Sequence, residues 1–204
     1  QFTNSVELGY KTNLTKGYYY AAIYHRSTNG TITRIATQAP PSTLIYTVFQ
    51  NAGYSSNTGV EMVFQQNFSK AFSFNSNVNI YRNIINAFTV ENKYPVLSIY
   101  TAGKEAITSG NVKLNGIFHL PKKTYIQLTA IYLAPDIIPQ GRIDTRFSVD
   151  MGIKKQIQKD KGELFFNASD IFNTLRIKKT VTGNGFTLAS TDYYETQVIR
   201  LGYS

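Results

Sequence analysis

In the segment AFSFNSNVNIYRN (71–83), side-chain character switches at every residue. Phe72, Phe74, Ser76, Val78 and Ile80 fall on one side, and Ser73, Asn75, Asn77, Asn79 and Tyr81 on the other. A two-residue period belongs to an extended strand with one apolar and one polar face. Here it lasts about ten residues, enough to cross a hydrocarbon layer as a tilted strand and longer than a typical globular strand. Transmembrane β-barrels are built this way, apolar toward lipid and polar toward water.

The same dyad recurs along the chain. Val112, Leu114, Gly116 and Phe118 alternate with Asn111, Lys113, Asn115 and Ile117, and Phe147, Val149, Met151 and Ile153 with Arg146, Ser148, Asp150 and Gly152. Strands are expected near 2–11, 17–26, 58–68, 71–84, 107–119, 124–134, 145–157, 162–171 and 192–203. Short connections (12–17, 67–71, 120–123, 158–161) alternate strictly with long ones (27–57, 85–106, 135–144, 172–191). The fold class is therefore all-β, an antiparallel meander of about nine long strands within a larger transmembrane β-barrel, with all short turns at one end. A nine-stranded antiparallel order closes only through a parallel seam, so 2–11 and 192–203 are not expected to pair with each other. Tyr18, Tyr19, Tyr20, Tyr193 and Tyr194, near strand ends, suit an interfacial aromatic girdle.

Composition narrows the class further. Charged residues make up 16 % of the chain, below the ~25 % usual for soluble domains, and Asn, Ser and Thr fill the polar positions. No run of about 18 apolar residues exists, which excludes helical spans. The chain has no Cys, so disulfides and Cys-based metal sites are out. A net charge of +9 raises the question of nucleic acid. The cations, however, are dispersed, several of them in turns (Lys70, Lys122, Lys123, Lys159, Lys161), and no nucleic-acid partner is expected. Arg176, Lys178 and Lys179, the densest group, flank a long connection. His25 and His119 are the only histidines, and neither lies in a spacing that makes a metal site or a nucleophile–base pair. Glu61 and Glu163 lie on separate strands, and TGNGFT (182–187) precedes no helix and reads as a loop tip. No enzymatic role, cofactor or metal is expected.

SVDMGIKKQIQKDKGELFFNASDIFNT (148–174) resembles the C-terminal barrel of TonB-dependent outer-membrane receptors, particularly those of the Bacteroidetes type. KGELFFNASDIFNT is similar to the family's penultimate strand. PQGR (139–142), VELGYKTNL (6–14) with YYYAAIYHRSTNGTITR (18–34), and TGVEMVFQQNFSKAFSFNSNVNIYR (58–82) follow the same pattern in family order. The ending departs from the glycan-importing group and is closer to outer-membrane β-barrel relatives with a carboxypeptidase-regulatory-like N-terminal domain. The family also carries a plug, a TonB box and about 22 strands. The resemblance thus implies that residues 1–204 are a single-domain C-terminal part of such a barrel.

It further implies import of a scarce nutrient across the bacterial outer membrane, energised through TonB. The expected partners are outer-membrane lipid, the rest of the barrel and its plug, TonB, and a metal chelate, peptide or glycan as substrate. The expected lumen-facing residues are Asn75, Asn77, Asn79, Asn115, Gln127, Arg146 and Asp150. The expected lipid-facing residues are Phe72, Phe74, Val78, Ile80, Val112, Leu114, Phe118, Val149 and Met151. Two rival readings are a soluble or surface lectin- or adhesin-like binding protein, and an outer-membrane hydrolase.

Overall fold

The computed structural model describes residues 1–204, with every side chain but that of Asp160. In chain order the strands are β1 (Phe2–Leu14), β2 (Gly17–Asn29), β3 (Ile32–Gln38), β4 (Ile45–Asn51), β5 (Tyr54–Asn67) and β6 (Phe72–Ile85). Then follow β7 (Phe88–Asn92), β8 (Ser98–Ala102), β9 (Glu105–Leu120), β10 (Thr124–Leu133), β11 (Asp136–Ile138) and β12 (Gly141–Ile143). The last are β13 (Arg146–Ile157), β14 (Gly162–Ser169), β15 (Arg176–Gly183), β16 (Phe186–Tyr193) and β17 (Val198–Tyr203).

Nine of these form one antiparallel sheet in the order β1-β2-β5-β6-β9-β10-β13-β14-β17. Because neighbours run antiparallel, the four tight turns lie at one end and the four long connections at the other. β5 and β6 are each 14 residues long and β9 is 16, against about 5–6 in soluble sheets. β1 pairs only with β2 and β17 only with β14 among the described residues, so the sheet is open.

The long connections are not plain loops. β3 pairs with β4 and β7 with β8, while β11, β12, β15 and β16 form a four-stranded sheet. The ninth strand expected at 192–203 is shorter than read. Residues up to Tyr193 belong to the β15–β16 hairpin, and the sheet strand begins at Val198. Tyr193 and Tyr194 therefore sit in the connection, away from the ends of the nine-stranded sheet, whereas Tyr18, Tyr19 and Tyr20 open β2. TGNGFT is the tip of that hairpin, with Thr182 opposite Thr187 and Gly183 opposite Phe186.

The hydrophobic core lies among these connections. Ile35, Ala52, Ile85, Phe88, Val90 and Ile137 are buried together, with Tyr100, Ala102 and Ile107 packed against them. On the apolar face of the sheet, large side chains stay open: Ile23 is 58 % exposed, Ile80 51 % and Leu201 78 %.

Gly185 has φ +80 at the hairpin tip, and a Cβ built there would meet nothing within 4 Å. Its conformation alone makes glycine the fitting residue, since a left-handed backbone costs other residues roughly 1–2 kcal/mol. Gly185→Val is expected to destabilise the β15–β16 hairpin by about that amount. Amide exchange should then rise in 176–193 and stay unchanged in β5 and β6.

Candidate functional site: the polar face and the loop cluster

The register decides which side chains share a face. Phe72 pairs with Phe118, Val78 with Val112, Ser76 with Leu114, and Ile80 with Gly110. Leu114 continues to Ala130 and then Val149, and Leu128 lies opposite Met151. Phe72, Phe74, Val78, Ile80, Val112, Leu114, Phe118, Val149 and Met151 thus occupy one face. The opposite rows join Asn75 to Asn115 and on to Thr129 and Asp150, Asn79 to Asn111, and Gln127 to Gly152. Asn75, Asn77, Asn79, Asn115, Gln127, Arg146 and Asp150 share that second, polar face.

Cross-strand hydrogen bonds satisfy much of the polar face. The Tyr24 hydroxyl donates to Asn79 Oδ1 at 3.0 Å, and Asn77 Nδ2 donates to Glu61 Oε1 at 2.9 Å. Gln127 Nε2 and the Thr129 hydroxyl both donate to Asn115 Oδ1 at 2.9 Å. Tyr20 donates to Glu7 at 2.6 Å, and Lys154 forms an ion pair with Glu163. Glu61 and Glu163 therefore hold separate partners. Gln127, Thr129 and Asp150 line a hollow of about 260 Å³ together with Asn167 and Arg200. Those last two escaped the sequence reading, although Asn167 continues the alternation of Glu163 and Phe165. Among the described residues no three His, Cys, Asp or Glu side chains are placed to hold a metal.

At the loop end, side chains tie the hairpins together. The Gln140 side chain donates to the Ala36 carbonyl at 3.1 Å and accepts from the Ala36 N–H at 2.6 Å, copying a strand pairing. Asn92 donates to Thr37 at 2.7 Å and accepts from Gln50 at 2.9 Å. Asn184 donates to the Ile99 carbonyl at 2.7 Å, and Tyr100 donates to the Thr182 carbonyl at 3.4 Å. Asp136 of β11 reaches down to the polar face, accepting from Tyr81 at 2.7 Å and Asn83 at 2.8 Å. The basic group seen in the sequence belongs to this cluster: Lys179 pairs with Asp192 at 2.7 Å, and Arg176 lies over the Tyr193 ring.

Asp170, 1 % exposed, anchors the exit from β14. Its carboxylate accepts from the Thr174 and Leu175 N–H groups at 2.9 and 3.1 Å, and from the Thr196 hydroxyl at 2.6 Å. Its own N–H donates to Asp150 Oδ1 at 2.8 Å, so Asp150 also brackets this turn. Burial pushes the Asp170 carboxyl up, but the hydrogen bonds from Thr196, Thr174 and Leu175 outweigh it and hold the pKa below the ordinary 3.8.

Two outcomes follow from these ties. Because the folded pKa is depressed, the stabilisation from Asp170 is fully present above 3.8 and fades as pH falls through the lower folded value. Amide exchange at Thr174 and Leu175 is expected to accelerate in that acid range, and Asp170→Asn should remove the pH dependence. Gln140→Leu leaves the buried Ala36 N–H and C=O unpaired, at about 1–3 kcal/mol each. Limited proteolysis should then cut the 32–51 hairpin faster while sparing β9 and β10.

Comparison with known proteins adds one finding. The model of the outer membrane protein beta-barrel family matches residues 1–204. Neither a curated protein nor a solved structure matches the chain.

Proposed function

Since the chain belongs to the outer membrane protein beta-barrel family, and so to the bacterial outer membrane as part of a barrel wall, we propose that this wall serves a TonB-dependent transporter. The observation carrying the proposal is the two-faced register of the sheet. Its polar rows are cross-linked by neutral and paired side chains, as a wetted interior needs, and its apolar rows are left bare. From Phe72 to Ile80 the bare rows extend about 27 Å along the strand. At a tilt of ~35–45° that is about 20 Å, most of the ~25 Å apolar band of an outer-membrane barrel. The apolar face meets lipid and the polar face the lumen. The likeness of 148–174 to TonB-dependent receptors supplies the energy source, and the tied hairpins form the outer mouth that receives a metal chelate, peptide or glycan. A plug and TonB itself are the partners this reading requires. The wall itself has no catalytic part in import.

Uptake of ferric chelates, peptides and oligosaccharides can be compared in cells lacking the protein, lacking TonB, or lacking both. The same substrate should be lost in all three, with no additive effect. A substrate lost without the protein yet still imported without TonB would leave a passive barrel and end the transporter reading. The lipid face is tested separately. Val149→Arg should destabilise the membrane-inserted protein by ~2–4 kcal/mol near the midplane, read from urea titrations in bilayers. Full tolerance of that arginine would show that the apolar rows do not meet lipid.

A further inference from the structure

The apolar face has a cationic upper rim. On β2, β5, β6 and β9 one cross-strand line of this face is polar throughout, His25–Thr58–Arg82–Thr108. Ser27, Ser56, Ile84 and Ala106 occupy the next row toward the loop cluster. His25 Nδ1 lies 2.7 Å from the Thr58 hydroxyl, and Arg82 Nη1 donates to the Thr108 hydroxyl at 3.1 Å. All four residues are exposed, and among the described residues Arg82 forms no ion pair with a carboxylate. Following the register across the nine strands, this face carries no Asp or Glu. Its other cation within the rows, Lys155, sits at the turn end opposite Thr124. Val6, in line with His25, and in the row below it Leu8, Ile23, Val60 and Ile80 line a groove of about 580 Å³.

We propose that this groove with its Arg82–His25 rim is a binding site for a phosphate-bearing anionic lipid, whose headgroup meets Arg82 and whose acyl chain lies over Ile23, Val60 and Ile80. The geometry separates the two halves of an amphiphile. Hydrogen-bond donors form a polar line across the loop end of the apolar face, and the hollow lies on the side where a chain must go. Arginine's planar fork matches a phosphate bidentately, and an anion there meets no competing carboxylate. The hydroxyls of Thr58 and Thr108 hold the imidazole and the guanidinium in line. The proposal rests on the apolar face meeting lipid but not on transport, so the uptake comparison can fail without touching it.

The test uses the intact protein in zwitterionic detergent, titrated with phosphatidylglycerol, phosphatidylcholine and inorganic phosphate, with bound lipid read by native mass spectrometry. Phosphatidylglycerol should be retained about tenfold better than phosphatidylcholine, whose choline cation offsets the phosphate charge that Arg82 meets. Arg82→Gln should erase that preference, while Lys70→Gln, at a turn on the opposite end, should leave it intact. Val60→Trp changes no charge and should lower retention by filling the groove, which keeps the proposal testable if Arg82→Gln fails to insert. Equal retention of the two lipids, or equal damage from Lys70→Gln, would overturn it. So would displacement of lipid by inorganic phosphate at matched concentration, which would mark a free-anion site. If Val149→Arg is tolerated in bilayers, the premise of a lipid-facing surface fails, and that result is distinct from loss of lipid selectivity.

Discussion

A strand's main chain must pair each N–H and C=O, and in hydrocarbon no water can substitute for a missing neighbour. The long ladders of β2, β5, β6, β9 and β10 answer that demand residue by residue, through 13 paired positions between β2 and β5 alone. Everything else in the molecule follows from holding those ladders in register. The two-residue period then fixes which side chains face which solvent, and a slip of one residue would exchange the faces wholesale. Cross-strand pairs such as Phe72 with Phe118, whose rings stack at 4.9 Å, and Asn115 with Gln127 on the reverse side oppose such a slip from both sides.

This arrangement inverts the usual placement of a core. In a soluble sheet, the apolar face is covered by a second layer, and hydrophobic burial supplies most of the stability. Here the nine-stranded sheet leaves its apolar rows uncovered, and the buried cluster around Ile35, Phe88 and Ile137 forms where hairpins meet beyond its end. The protein is thus two regimes joined end to end. A lattice of backbone bonds holds apolar rows that nothing in the fold covers, and a small assembly of hairpins at its loop end is organised by ordinary burial.

The two regimes differ in how plainly they are written in the chain. The alternation in 72–82, 111–118 and 146–153 reports the surroundings of each strand directly, so the meander, its turns and the two faces were legible. The hairpins within the long connections were not, because Ile35, Ala36 and Thr37 are buried in succession by contacts with other hairpins. No local period encodes such contacts. Asn184–Gly185 was one available sign, since that dipeptide between two strands marks a tight hairpin. The role of Asp170 was half visible. Bonds to Thr174 and Leu175 are local in sequence, but the bond to Thr196 crosses 26 residues and exists only once β15 and β16 have folded back. The shortening of the last strand has the same origin, because Tyr193 is claimed by β15.

Several ties between hairpins end on main-chain atoms. Gln140 grips the backbone of residue 36, Asn184 the carbonyl of residue 99, and Tyr100 the carbonyl of residue 182. A grip on the main chain is blind to the side chain it passes. Ile99 and Thr182, both exposed, can therefore be exchanged for other residues while the hairpin cluster keeps its shape. This end of the protein is free to change its chemical appearance without loosening the architecture beneath.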